Sequence, residues 1–171
     1  LGANTTAANN TAVGYNAGTA VTTGIQNTII GSLAGDALTD ADFNIAIGVN
    51  ALTGDTKGNK TTAIGYSALE TQNFTSSTDT YNTAVGHEAG ARVTTGTLNT
   101  LIGAVSGDSL TTGGQNVAVG QNSLGNDTTA EGNAAVGHRA LEANTTGAYN
   151  SALGDGSLRN NTTASSNTAV G

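Results

Sequence analysis

Asn10-Thr11-Ala12-Val13-Gly14 is the stretch that decides the fold, because it returns along the whole chain. Its variants end at Gly31, Gly48, Gly65, Gly86, Gly103, Gly120, Gly137, Gly154 and Gly171. Successive glycines lie 17 residues apart, except for one gap of 21 between Gly65 and Gly86. A fixed period of this length marks a solenoid or array. Seventeen residues are too few for a helix–turn–helix unit but fit two or three short strands with tight turns. The motif alternates, ends on a β-branched residue and stops at Gly, which reads as a strand. The fold class expected is therefore all-β: a parallel β-solenoid of about ten rungs, running as one array over residues 1–171 with a long rung at 66–86.

Positions are counted here from each repeat glycine. At −4 stands Asn (Asn10, Asn27, Asn44, Asn82, Asn99, Asn116, Asn133, Asn150, Asn167), with Thr61 the exception. At −1 stands an aliphatic in every copy, from Val13 to Val170, and at −2 stands Ala except for Ile29 and Leu101. At +8 stands Thr in nearly every copy: Thr22, Thr39, Thr56, Thr94, Thr111, Thr128, Thr145 and Thr162. In stacked rungs about 4.8 Å apart these letters become vertical columns. The Asn and Thr columns then read as hydrogen-bonded ladders rather than ligand sites.

Two positions vary together. Gly at +4 accompanies an aliphatic at +7 (Gly18/Val21, Gly35/Leu38, Gly90/Val93, Gly107/Leu110). Leu at +4 accompanies a polar residue at +7 (Leu52/Asp55, Leu69/Gln72, Leu124/Asp127, Leu141/Asn144). One bulky group per rung filling one volume explains the linkage, since overpacking and voids both destabilise. Residues 12–55 resemble 84–127, so four rungs make a larger unit. The four extra residues of the long rung fall near 73–76, as a surface loop.

In a strand, Thr11 and Val13 point one way and Asn10 and Ala12 the other. One face lines the coil, and the aliphatic column on the other needs a cover. Another chain is the simplest cover, so self-association is expected.

Composition narrows the partners. Leu, Ile, Val and Phe number only 31 of 171 residues, a level that suits disorder were it not for the strict period. A net charge of −7 with five basic residues argues against nucleic acid and anionic membranes. No apolar run approaches the roughly 18 residues of a membrane span. Leu1 falls in mid-repeat, aligned with Leu124, so the chain reads as part of a longer fibre protein.

The run Asn10-Thr11-Ala12-Val13-Gly14-Tyr15-Asn16-Ala17-Gly18, followed by Thr22-Thr23-Gly24, resembles the head repeats of YadA-like trimeric autotransporter adhesins. The 17-residue spacing with Thr-Thr-Gly is similar to arrays in phage tail fibres and related surface fibres. The resemblance covers all ten copies. It implies a parallel β-roll that forms a homotrimer, located in a virion tail fibre or on a cell surface. A structural role as rigid spacer and host-attachment element is expected, with a bacterial adhesin head as the alternative and a Thr-ladder ice-binding protein as a third reading.

Chemistry is sparse. His87 and His138 share the variable +1 column, which reads as a solvent-facing turn, so no catalytic set is expected. Asp36, Asp40, Asp42 and Asp55 lie in no calcium-loop pattern and are read as solvated acids. No metal, cofactor or enzymatic activity is expected. If a cell-surface receptor or glycan is gripped, the expected contact is an exposed set of Tyr66, Phe74 and His87 beside the inserted loop.

Overall fold

The computed structural model describes all of residues 1–171. The chain is all-β and coils as a β-solenoid, with no helix. Ten three-residue strands, one per rung, form a single sheet: β1 (Thr11–Val13), β2 (Thr28–Ile30), β3 (Ile45–Ile47), β5 (Thr62–Ile64), β7 (Thr83–Val85), β8 (Thr100–Ile102), β9 (Val117–Val119), β10 (Ala134–Val136), β11 (Ser151–Leu153) and β12 (Thr168–Val170). All neighbours are parallel, and the register sets each letter over its counterpart, as Thr11 over Thr28 and Val13 over Ile30. The short strands β4 (Gly58–Asn59) and β6 (Thr78–Asp79) pair separately beside the long rung.

The expectation of two or three strands per rung needs correction. Apart from the long rung and the coil before it, which pair β6 with β4, each coil has one strand, and the rest is turn. The reason lies in the backbone. Three positions per rung take the left-handed conformation: +2, +4 and −5, as at Leu33 (φ 58), Leu52 (φ 55) and Phe43 (φ 60). Each such residue bends the chain and interrupts an extended run. The turns still hydrogen-bond rung to rung, as when Thr22, Thr23 and Gly24 all donate their N–H to the Thr39 carbonyl.

Position 0 is Gly for two reasons. Its φ is far in the positive region, as at Gly14 (φ 132), and a Cβ there would lie 2.5 Å from the carbonyl oxygen of Gly31 on the next rung.

The core is a thin column inside the coil. Position −2 points inward: Ala46, Ala63, Ala84, Ala118 and Ala135 are fully buried, as is Ile29. Position +3 (Ala17, Ala34, Ala51, Ala68) and the bulky residue at +4 or +7 complete it. The linked choice at +4 and +7 is borne out. A Cβ on Gly18 would meet Ile29 and Val21, and one on Gly107 would meet Leu101 and Leu110. These contacts add a third partner to the pair. Position −2 is bulky only at Ile29, between Gly18 and Gly35, and at Leu101, between Gly90 and Gly107. Two stacked glycines at +4 leave room that a long −2 side chain fills.

Candidate functional site

The inward columns hold the coil, and the outward columns face what lies outside it. The Asn ladder is present, but its main bond runs from backbone to side chain. The N–H of Asn27 donates to Asn10 Oδ1 (2.8 Å), that of Asn44 to Asn27 Oδ1 (2.9 Å), and those of Asn99, Asn116, Asn133, Asn150 and Asn167 to the Asn one rung before. From Asn10 to Asn150 each Nδ2 crosses its own coil to a carbonyl at +10, as Asn82 to Gly96 (2.7 Å) and Asn99 to Gly113 (3.0 Å). Asn suits this place because one neutral side chain supplies both the acceptor and the donor that two buried backbone groups require.

The Thr ladder is likewise side chain to backbone. Thr22, Thr39, Thr94, Thr111, Thr128 and Thr145 donate their hydroxyls to the carbonyl of the next +8 residue, at 2.9–3.2 Å. Thr56 donates to Phe74, and Thr162 is the acceptor for Thr145.

The long rung repairs the one break in the Asn column. Gly58 pairs with Thr78, 20 positions on, whereas Thr62 pairs with Thr83, 21 positions on. Three extra residues therefore precede Thr78, near the expected site, and the fourth is Thr80. Thr80 is buried. Its hydroxyl lies 2.7 Å from that of Thr61 and accepts the N–H of Asn82, the bond an Asn at 61 would have made. Gln72 joins in, donating to Asp55 and Thr61 and accepting from Asn82.

The polar partners at +7 are buried. Asp55, read above as a solvated acid, has no solvent exposure. It accepts from the backbone N–H of Gly58 and Phe74 and from Gln72 Nε2, so these donors take the place of water around its carboxyl group. Asp127 sits alike, accepting from the N–H of Ala130 and from Asn133 and Asn144 Nδ2. Burial raises its pKa from the ordinary 3.8 to about 6, against the opposing pull of those donors.

Outside the coil the picture divides sharply. Positions −3 and −1 point outward from the ten-stranded sheet, and none of these twenty residues is buried. None is charged. The −1 column is wholly aliphatic and stays open to solvent: Val13 58 %, Ile30 37 %, Ile102 39 %, Leu153 52 %. The −5 and +1 columns flank it. They expose Phe43, Tyr81, Leu98 and Tyr149 on one side and Tyr15, Val49 and Tyr66 on the other. Lys60, the single cation of the −5 column, is tied to Asp79 at 2.5 Å and lies over the Tyr81 ring. Asp155 is the one acid of the +1 column, and the largest group of acids and bases gathers at +2, +5 and +6. There Glu142 meets Arg139 and Arg159, and Glu70, Glu88, Arg92 and Asp108 line a polar hollow.

The expected contact set is only partly assembled. Tyr66 and His87 stack on successive rungs, with ring centroids 5.0 Å apart. Phe74 is not with them. It is buried at 8 % exposure, at the +8 to +10 corner, where its backbone bonds Asp55 and Thr56. The loop folds inward there because Asp55 needs its N–H. His138 pairs with Asp155 in the same +1 column (2.8 Å) and with no nucleophile.

No helix is long and apolar enough to cross a membrane. Set against family models, curated proteins and solved structures, the chain matches none.

Proposed function

We propose that this chain is a structural fibre segment, a rigid spacer that carries a host- or receptor-facing surface. It works as an assembly of parallel copies, a homotrimer being the reading the repeat resemblance favours. The observation that carries the proposal is the uncharged aliphatic column at −1, which is buried on no rung and exposed at Val13, Ile30, Ile102, Leu153 and Val170. Exposed apolar stripes of this length mark a surface that is covered in use. Covering it with another copy adds burial to a coil whose own core is thin. A phage tail fibre or related surface fibre is the setting that fits best, and a bacterial adhesin head would use the same face. The ice-binding reading is weakened by the Thr ladder itself, whose hydroxyls are already committed to carbonyls.

The test is mass in solution by light scattering, across a range of concentrations. Three chains per particle are expected. Val85→Lys, in the middle of the aliphatic column, should shift the mass toward one chain while the circular dichroism stays β-type. A wild-type chain that is monomeric at every concentration would remove the proposal.

A further inference from the structure

The aliphatic −1 column has a weakness as an interface. It is Val, Ile or Leu on every rung, so two copies could slide past each other by one rung and lose little. Repetitive surfaces specify register poorly unless something breaks the repeat. The break lies on the Gly48 rung. Across the four outward columns this rung reads Phe43, Ile45, Ile47, Val49, and none of the four is buried. Neighbouring rungs read Gln26, Thr28, Ile30, Ser32 below and Lys60, Thr62, Ile64, Tyr66 above. The Gly120 rung comes nearest in the −3 column, with Val117 beside Val119, but it is flanked by Gln115 and Gln121. Only at Gly48 is the row apolar from edge to edge.

We propose that the row Phe43-Ile45-Ile47-Val49 is the anchor of the contact between copies and sets them level, each rung beside the same rung of its neighbour. The inference rests on the self-association reading and names the residues that give it register. The occupant is a second copy of this chain, for two reasons. The chain carries a net charge of −7, so copies repel unless they meet where neither is charged, and the −3 and −1 columns, flanked only by the charges of Lys60 and Asp155, are such a place. Ten strands about 4.8 Å apart and three residues wide at about 3.3 Å each offer roughly 450 Å² of sheet per copy, and the flanking −5 and +1 side chains widen it toward the roughly 800 Å² per partner of a standard interface. In level, parallel copies the apolar rows meet each other. A slip of one rung sets Ile45 against Thr28 or Thr62 and leaves buried hydroxyls facing aliphatics.

The experiment compares the assembly constant of wild type, Ile45→Thr and Val117→Thr by sedimentation. Thr is the ordinary residue of this column, so neither change threatens the coil. Ile45→Thr should weaken assembly about tenfold or more, as loss of an anchor does, and Val117→Thr clearly less. Because the chain has no cysteine, Ile45→Cys gives a clean register probe. It should cross-link to Ile45→Cys in a neighbouring copy in preference to Thr62→Cys. If wild type assembles yet both Thr variants weaken it equally, or the 45–62 pair cross-links best, the anchor is wrong and self-association stands. If wild type does not assemble at all, both fall.

Discussion

Asn99 shows what one residue does in this coil. Its Oδ1 takes the N–H of Asn116 and its Nδ2 reaches the carbonyl of Gly113, all out of solvent. Asn99→Ala strands both backbone groups, so denaturant unfolding should report a loss of about 2–5 kcal/mol. A similar loss is not expected from exposed Thr95→Ala. Asp127 carries the other residue-scale prediction. Its folded pKa of about 6 lies above the unfolded value, so the fold binds the proton more tightly than the unfolded chain. Its contribution therefore favours the fold at low pH and is lost as pH rises from about 4 to about 6. Melting at pH 5 and pH 7 should show this share of the pH dependence in wild type and not in Asp127→Asn. An unchanged slope in the variant would place the titration elsewhere.

A rung is legible in the letters wherever a letter recurs. The period, the strand and the inward and outward alternation at Asn10, Thr11, Ala12 and Val13 all follow from sequence, as does the volume trade at +4 and +7. Three things did not follow. The repeat gives no sign that +2, +4 and −5 take positive φ in residues as unlike as Leu33, Leu52 and Phe43, so the turns read as further strands. Polarity sent Asp55 outward, whereas Gln72 and two backbone N–H groups hold it in. Phe74 went inward for the same reason. The signal for Thr80 was in the letters, since the one rung lacking an Asn at −4 immediately precedes the one long rung. The packing rule gives the prediction at this scale. Gly90→Leu should destabilise by about 1–3 kcal/mol, because its side chain meets Leu101, Leu69 and Val93. Adding Val93→Asn and Leu101→Ala copies the pattern of the Leu-bearing rungs and should restore most of the loss. Additive losses would refute the shared volume.

The whole molecule is a stack in which each coil touches only the coils on either side. Stability in such arrays is close to a sum of units and their interfaces. Removing residues 121–137 deletes one period and leaves Ala118 between Gly107 and Leu141, a combination already present as Ala46 between Gly35 and Leu52. That deletion should fold, with a modest drop in melting temperature. Removing residues 104–120 also deletes one period, but it puts Leu124 over Leu101. It should fold less stably than the first, and equal melting of the two would argue against the rule.

The pairing of stacked glycines with a long side chain at Ile29 and Leu101 bears on heredity. Repeated genes gain and lose copies by unequal recombination, and most crossovers between rungs here would still yield closed coils. Those that separate Ile29 or Leu101 from its two glycines would not pack. Such a gene would therefore lengthen most safely in whole four-rung blocks, which is the internal duplication that residues 12–55 and 84–127 preserve.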